Sequence, residues 1–340
     1  MRRRAAPRNG MLDAADFRVR ADGKHDDTAA LQSAIHAAEE IAATLHLPSG
    51  VMRITAPLEI AHPMTLAGAG AYVLYGPQAN GFDTIDIPLV APYVSGSVLL
   101  VDGNYTDGLR LTGRGLHVNL RDFCVRFARP YAETGHGIVA EPPLLDVGGR
   151  DNGVQGATWE RIAVHGHDGD HYAFRLFNPI YDSFRDLRGF GGGFIYLEND
   201  AAGTGGHYGN CLFDHPYGQL YVAGSADGIR LVDTLGVLNL LCFIRPQIST
   251  TDKSASTGAP GARAEQRMFH SDPGVRSVSL IAPDFETNVG GTCLFGDGPG
   301  WFIDVGGRIS SPALWDVMSG SVTLDRRLPR LRSDMTVDAS

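Results

Sequence analysis

Acidic, basic and imidazole side chains recur in short polar corners in the second half of the chain. Asp214 and His215 occupy one corner, Arg245 the next copy, and Asp284 and Glu286 the copy after that. Two carboxylates about 5 to 9.5 Å apart can serve as acid and base, or as acid and nucleophile, in hydrolysis. We predict Asp214 and Glu286 as this pair, with Asp284 and His215 as further catalytic candidates and Arg245 as a substrate-binding residue. The alternative is one more structural charge ladder.

A second group of candidates lies in the Gly-rich stretch GGHYGN, which contains His207 and Tyr208. A base of this kind, with Arg245 to neutralise a carboxylate, is what β-elimination beside a uronate requires. We therefore predict both side chains as substrate-binding, or as the base of an elimination. A turn flanked by glycines is the structural alternative.

The most polar segment of the chain is HGHDGDH, at residues 165–171. Its spacing matches no established metal-ligand pattern. A solvated corner is favoured over a catalytic histidine or a Ca²⁺ site, and no metal or cofactor is predicted. Four aromatic residues are of the type that stacks on sugar rings, although at strand spacing such residues are usually core. They are Tyr217, Tyr221, Trp301 and Trp315, of which Tyr217 and Trp301 are predicted to bind substrate.

These candidates must be positioned by a long series of strands, because only one stretch reads as a helix. Asp26 and Asp27 precede a run with apolar residues at three-to-four-residue spacing, which predicts a capped amphipathic helix over about 27–44. Pro48 and Gly50 follow it. Beyond them, short apolar runs are separated by Gly and Pro, which is typical of strands and turns.

One unit recurs along the rest of the chain: an apolar pair, a polar corner and another apolar pair. The copies are about 22 to 39 residues apart, the period of a solenoid of roughly eight coils. Aligned copies place opposite charges on neighbouring coils, which predicts two structural ion ladders. Their members are Arg121, Glu160 and Arg185 in one column and Asp122, Arg161 and Asp186 in the other.

Composition limits the function classes. The net charge of -9 disfavours nucleic acid as a partner, and no segment is long and apolar enough to span a membrane. An anionic glycan would need a local basic patch. The four cysteines have no metal-ligand spacing and are expected to be free core thiols, with a Cys211 to Cys242 bridge as the exception. The predicted domains are an N-terminal arm (1–16), a solenoid (17–325) and a tail (326–340).

The segment 22–70 resembles the opening of the pectate-lyase-like right-handed parallel β-helices, a group of polysaccharide lyases, glycoside hydrolases and phage tailspike depolymerases. The shared features are the Asp22-Gly23 start, the Asp26-Asp27 cap, the Ala-rich helix, the LPSG turn at 47–50 and the ending at 66–70. The resemblance implies an all-β, single-stranded parallel β-helix whose helix covers its open end. His136, in GHG, is similar to a motif of the polygalacturonase branch, but the accompanying carboxylate motifs are absent.

The resemblance also implies a polysaccharide substrate, a homotrimer, and an extracellular or phage-particle location. Hydrolysis by paired carboxylates, as in tailspike-like depolymerases, is the leading expectation. A polysaccharide lyase is the enzymatic alternative, and a glycan-binding or structural spike without turnover is the non-enzymatic one. Which glycan is recognised depends on loops that the repeat does not encode.

Overall fold

The chain is described by a computed structural model. The described residues are 10–71, 96–114, 116–145, 150–200, 208–220, 224–233, 238–250, 267–272, 275, 277–287, 291–296, 300–309, 314–318, 322–328, 330–332 and 337–338. These residues form strands with one α-helix, α1 (Thr28–Glu39), and one 3-10 helix, Ala14–Phe17.

The strands, in chain order, are β1 (Met11–Asp13), β2 (Asp22–Asp26), β3 (Thr44–His46), β4 (Gly50–Ile54), β5 (Leu58–Ile60), β6 (Met64–Ala67), β7 (Ser97–Val101), β8 (Leu109–Leu111), β9 (Val118–Phe127), β10 (Ile138–Ala140), β11 (Thr158–His165), β12 (Tyr172–Phe177), β13 (Ser183–Gly191), β14 (Gly193–Asn199), β15 (Tyr208–Gly209), β16 (Leu212–Asp214), β17 (Tyr217–Leu220), β18 (Ile229–Asp233), β19 (Leu238–Asn239), β20 (Leu241–Ile244), β21 (Gln247–Thr250), β22 (Arg267–Ser271), β23 (Ser277–Ile281), β24 (Asp284–Thr287), β25 (Gly291–Gly296), β26 (Gly300–Val305), β27 (Arg308–Ile309), β28 (Leu314–Met318), β29 (Val322–Leu328), β30 (Arg330–Arg332) and β31 (Val337–Asp338).

Two long sheets contain nearly all of these strands. Sheet B has nine parallel strands, in the order β5, β8, β10, β12, β14, β18, β22, β25 and β28, and sheet A has twenty. A representative coil passes through sheet B in β14, enters sheet A in β16, turns a corner, continues in sheet A as β17 and returns to sheet B in β18. This path confirms the predicted parallel β-helix, and the nine strands of sheet B are close to the predicted eight coils.

Stacked aromatic side chains fill the interior of the middle coils. The indole of Trp159 lies 5.4 Å from the ring of Phe184, which lies 4.6 Å from Phe213, which in turn lies 4.5 Å from Phe243. All four are buried. Because the strands are parallel and in register, each ring packs on its counterpart one coil away, and burial of these large apolar surfaces stabilises the solenoid.

Six successive coils turn their sheet A corner through one non-glycine residue with left-handed backbone. The residues, with φ between 48° and 62°, are Asp122, Arg161, Asp186, His215, Arg245 and Ala282. Such backbone is uncommon without glycine. A hydrogen bond to the next coil stabilises this backbone conformation at His215, whose N–H donates to the carbonyl of Ile244 at 2.9 Å. The predicted ion ladders are confirmed for two pairs: Arg161 Nε lies 2.6 Å from Asp122 and Arg185 Nη1 lies 3.5 Å from Glu160.

The helix covers one end of the solenoid with four fully buried side chains, Leu31, Ala34, Ile35 and Ala38. Its start is capped as predicted, because Asp26 Oδ1 accepts the Thr28 N–H at 3.0 Å. Asp27 instead accepts the backbone N–H groups of Arg20 and Ala21 at 2.9 and 3.0 Å. The predicted end at residue 44 is wrong. The helix ends at Glu39, since Ala42 has φ 49° and residues 44–46 form a strand.

The predicted domain boundaries also change. Strand β1 pairs with β3 in parallel, so residues 11–13 belong to the solenoid rather than to an N-terminal arm. At the other end β30 pairs with β27, and β31 adds to β30 in antiparallel orientation, so sheet A continues beyond residue 325. Residues 1–9 lie outside the described residues. Cys124, Cys211 and Cys242 are free, as expected.

Candidate functional site

Three of the predicted site residues meet at the sheet A corner. Asp214 ends β16, and His215 and Arg245 occupy the corners of two successive coils. His215 Nδ1 lies 2.9 Å from Asp214 Oδ1, and Arg245 Nη2 lies 3.1 Å from His215 Nδ1 and 3.4 Å from Asp214 Oδ1. The structure thus brings these three side chains together, and their catalytic and binding roles stay predictions.

The other two predicted acids lie elsewhere. Through the strand register, Glu286 is two coils from Gln219, which is itself five residues beyond Asp214. Residues two coils apart are separated by about 9.6 Å along the solenoid from this stacking alone. The register therefore places Asp214 and Glu286 in different rows two coils apart, and their role as a catalytic pair stays a prediction. Asp284 accepts from Arg308 Nε and Nη2 at 2.9 and 2.8 Å, so its carboxylate serves an ion pair.

Of the predicted aromatic and elimination residues, Tyr217 is the best described. It lines a groove of about 290 Å³ together with Asp186, Arg188, His215, Pro216, Arg245 and Gln247. Tyr208 and Trp301 lie in strands β15 and β26. His207 and Tyr221 lie outside the described residues. Three of the predicted site residues, His215, Tyr217 and Arg245, thus line one groove on sheet A. The predicted acids Asp284 and Glu286, on β24, are not among its lining residues.

A denser set of polar side chains lies on the outer face of sheet B. Its central residue is Arg175, on strand β12, whose guanidinium carbon lies 4.8 Å from the ring of Phe177 and 5.3 Å from that of Tyr196. Arg175 Nη1 lies 3.4 Å from His136 Nε2. Within the described part of the chain, no carboxylate lies at ion-pair distance from Arg175. Its positive charge is therefore held by aromatic faces and remains open to an anion.

The tautomer of His136 follows from its hydrogen bonds. Its Nδ1 accepts the backbone N–H of Tyr172 at 2.9 Å. Burial, with the nearby His171 and Arg175, lowers the pKa of His136 to about 3, so the ring is neutral at neutral pH. A neutral imidazole that accepts at Nδ1 carries its proton at Nε2. His136 Nε2–H and Arg175 Nη1 are thus two neighbouring donors without an acceptor between them, the arrangement of an anion receptor.

A histidine–carboxylate pair stands beside this receptor. His171 Nδ1 lies 2.6 Å from Asp168 Oδ1, and the rings of His171 and His136 are 4.7 Å apart, edge to face. Burial opposes ionisation of Asp168, but hydrogen bonds, the strongest from His171, bring the pKa of its carboxyl to about 2. When the His171 ring is neutral and donates to this carboxylate from Nδ1, its Nε2 carries a lone pair. This arrangement suits a general base.

Tyr196 provides a hydroxyl on the next coil. Its OH donates to Glu198 Oε2 at 2.7 Å. Burial, followed by the hydrogen bond to Glu198, raises the pKa of Tyr196 above its usual range, so the phenol stays protonated. Tyr196 and Arg175 are register partners on adjacent strands. When an anionic group of a substrate binds Arg175, the adjacent atoms of that substrate therefore lie close to the protonated hydroxyl of Tyr196.

The rest of the face consists of closed ion pairs. On one side Arg150 binds Glu141 and Asp200, each at 2.5 Å. On the other side, Arg230 Nη2 lies 2.6 Å from Asp272 and His270 Nδ1 lies 2.5 Å from Asp227. The charges of Arg150 and Arg230 are thus compensated. Among the described residues, Arg175 differs from Arg150 and Arg230 in having no carboxylate partner.

Sequence reasoning noticed half of this face and missed the rest. The segment 165–171 was favoured as a solvated corner, yet Asp168 and His171 are partly buried and His167 is fully buried. Arg175 and Tyr196 were missed, because each is one polar residue within an apolar strand. The signal that would have found them is the outward position of both side chains between buried neighbours, at corresponding places in YAFRLF and FIYLEN.

Neither a metal centre nor a membrane span is found where the structure is described. No group of three or more His, Cys, Asp or Glu residues there is arranged to hold a metal ion. The one α-helix is too short to cross a lipid bilayer.

Comparisons with known proteins agree with the architecture. Residues 11–107 match the family described as rhamnogalacturonase A/epimerase, pectate lyase-like. The ORF18 protein of Geobacillus virus E2 is similar in structure, with a TM-score of 0.58 and 13% identity over 95% of this chain and 61% of the viral chain. This chain therefore spans less than two thirds of the length of that relative. Among curated protein sequences, none matches this chain.

Two further solved structures have lower similarity. The A-module of the mannuronan C-5 epimerase AlgE4 from Azotobacter vinelandii matches with 14% identity and a TM-score of 0.37, over 93% of this chain and 97% of that module. The tailspike gp49 of Acinetobacter baumannii bacteriophage Fri1, a capsular polysaccharide depolymerase, matches with 11% identity and a TM-score of 0.41, over 95% and 59%. The strand order shows a parallel β-helix fold, and within it residues 11–107 match the pectate-lyase-like family.

Proposed function

We propose that the chain binds a uronate-containing polysaccharide along the outer face of sheet B and cleaves it by β-elimination. The observation that carries this proposal is the pair of neighbouring donors formed by Arg175 and His136, since Arg175 has no ion pair among the described residues and Asp107, which interacts with it electrostatically, accepts instead from the His136 backbone and pairs with Arg110. A carboxylate fits two converging donors well. The sequence also offers elimination as the enzymatic alternative, but with His207 or Tyr208 as the base and Arg245 as the cation that neutralises the carboxylate.

The chemistry follows from the three groups around the receptor. Arg175 and His136 Nε2–H bind the uronate carboxylate and stabilise the negative charge that develops when the adjacent carbon loses its proton. His171 Nε2 takes that proton. The electron pair forms a double bond between this carbon and the next ring carbon, whose bond to the glycosidic oxygen breaks. Tyr196 donates a proton to the departing oxygen.

The supporting residues keep these groups in the required protonation states. Asp168 stays ionised, since its pKa is about 2, and its negative charge stabilises the imidazolium that forms on His171. His136 stays neutral, since its pKa is about 3, so it donates from Nε2 without adding a second positive charge beside Arg175. Solvent then returns a proton to Tyr196 and removes one from His171, which restores the enzyme.

The register of sheet B sets the position of Arg175 among the other cations of this face. Arg110, Arg175 and Arg230 fall in one row on every second strand. Their spacing along the solenoid is about 9.6 Å. Arg110 is paired with Asp107 and Glu141, and Arg230 with Asp227 and Asp272, so Arg175 is the member of this row whose charge is available to an anionic glycan. The family match of residues 11–107 also supports a polysaccharide substrate.

The proposal is tested by digestion of acidic and neutral polysaccharides with the purified chain. Elimination produces an unsaturated uronate, so reducing ends and ultraviolet absorbance should rise together. Reducing ends without that absorbance would show hydrolysis, the leading expectation from the sequence. If glycans bind and none is shortened, the protein is a binding or structural spike and the proposed reaction is wrong.

We further propose, as the resemblance implies, that the protein acts outside a cell or on a phage particle and assembles as a homotrimer. The viral origin of the ORF18 protein supports the location. Light scattering of the purified chain would measure its mass, and a monomer at micromolar concentration would contradict the trimer.

A further inference from the structure

The groove on sheet A lies far from the face assigned to catalysis. Its lining residues come from three successive coils, where each passes the corner between two sheet A strands. Along one coil the chain runs from sheet B to sheet A, around this corner, and back to sheet B. The corner is thus halfway around the coil from Arg175, so the groove cannot be a part of the sheet B site.

Two charged side chains in the groove have no partner among the described residues, and the register explains why. Arg161 uses its guanidinium on Asp122 and Glu160, which leaves Asp186, the next carboxylate of the ladder, without a cation. Arg188 has Ala163 on one neighbouring strand and Tyr217 on the other, so neither offers a carboxylate.

Among the described residues, the groove thus presents one unpaired carboxylate, of Asp186, and one unpaired guanidinium, of Arg188, on the same coil.

The other lining groups suit a sugar ring. Tyr217 follows Arg188 in register and Gln247 follows Tyr217, so the three side chains form a row across adjacent strands. The Tyr217 hydroxyl donates to Gln219 Oε1 at 3.1 Å, and its ring is 5.5 Å from that of Phe190. Both contacts hold the ring in place. An ordered aromatic face can stack on the apolar face of a pyranose, while Gln247 pairs with its hydroxyls.

Size also favours a single sugar. The volume of about 290 Å³ lies just below the range for small-molecule sites, which begins at about 300 Å³. An anionic substituent would pair with Arg188, with the partly exposed Arg245 beside it. Hydroxyl groups would donate to Asp186.

We propose that this groove is a secondary binding site for one anionic sugar residue of a polysaccharide, formed by Asp186, Arg188, Tyr217 and Gln247. The identity of the polymer rests on the proposed function, whereas the existence of the site does not. Occupying two sites on opposite sides of the solenoid raises the affinity for a long polymer more than for a short oligosaccharide.

The test compares two substitutions on strand β13. Arg188→Gln removes the unpaired cation of the groove. Arg185→Gln removes an equal charge from the same strand outside the groove, where Arg185 makes only an exposed pair with Glu160 at 3.5 Å. Binding of acidic polysaccharide is measured by calorimetry with the full chain, and KM and kcat are measured on polymer and on short oligosaccharides.

We expect Arg188→Gln to weaken polymer binding about tenfold, equivalent to about 1.4 kcal/mol, and to raise KM for polymer. Arg185→Gln should bind as the wild type does. Equal binding by the two variants would overturn the proposal. A fall in kcat on short oligosaccharides with Arg188→Gln would overturn it too, because the groove would then be catalytic. If no polymer is cleaved at all, the sheet B proposal fails, while the calorimetric comparison still decides the groove.

Discussion

Replacement of Arg175 tests the proposed reaction most directly. Arg175→Gln keeps a hydrogen-bond donor of similar length but removes the positive charge that faces the substrate carboxylate. Loss of one such stabilising group typically lowers kcat about 10² to 10³-fold, or about 2.7 to 4 kcal/mol of transition-state stabilisation. We expect a loss of this size in kcat/KM on the uronate polymer.

The structural cost of the same substitution is smaller. Arg175 contacts the rings of Phe177 and Tyr196, and a cation–π contact at a partly exposed site contributes about 0.5 to 1 kcal/mol. Losing both should lower the melting temperature by a few degrees. Because the protein would remain folded at assay temperature, unfolding cannot account for a hundredfold loss of activity.

The assay follows the absorbance of the unsaturated product, with the melting temperature measured on the same preparations. Arg185→Gln is the matched control, since it removes an equal charge from an exposed position on sheet A. Addition of a small alkylguanidinium to an Arg175→Ala variant should restore part of the activity, which a purely structural role would not allow. Retention of more than a tenth of wild-type kcat/KM by Arg175→Gln would refute the assignment.

Three further predictions follow from the structure. His171→Gln should abolish both cleavage and exchange of the abstracted proton with deuterated solvent, whereas Tyr196→Phe should lose cleavage but retain exchange, as measured by NMR; retained exchange in the His171 variant would exclude it as the base. Burial lowers the pKa of His165 to about 3 and that of His167 to about 4, so the unfolded chain takes up protons before the folded one as the pH falls. Each should then lower the free energy of unfolding by up to about 1.4 kcal/mol per pH unit between about pH 6.5 and 4, and urea denaturation that shows no such dependence would contradict their buried, neutral state. Phe213→Ala, between two stacked rings, should cost about 3 to 5 kcal/mol of stability and Phe213→Leu less; equal stability of the two variants would argue against the ladder.

Much of the fold was readable because a solenoid repeats its local pattern. The amphipathic helix, the polar corners and the apolar pairs each have a period that one sequence displays. The ion pairs of Arg161 with Asp122 and of Arg185 with Glu160 could be predicted by aligning copies, since residues at equivalent positions become neighbours on adjacent coils. The helix end was missed, because the apolar spacing continues through Leu45 although the backbone turns at Ala42.

The candidate site needed the register. His136, Arg175 and Tyr196 come from three different coils, and nothing in the local sequence of Arg175 or Tyr196 distinguishes it from other outward residues of sheet B. Only the alignment of strands shows that Arg175 is the register partner of Tyr196 and lies beside His136, with no ion pair to a carboxylate among the described residues. By the same reasoning, Glu286 resembled a partner for Asp214 until the register placed them in different rows.

The sequence by itself therefore determined the architecture, the capping helix and the chemical character of the corners, because these depend on local periodicity. The tertiary structure decided which charges are compensated and which are open, because that depends on the side chain one coil away. Arg175 on sheet B and the pair Asp186 and Arg188 on sheet A are the open charges on which the proposed chemistry and the proposed secondary site depend.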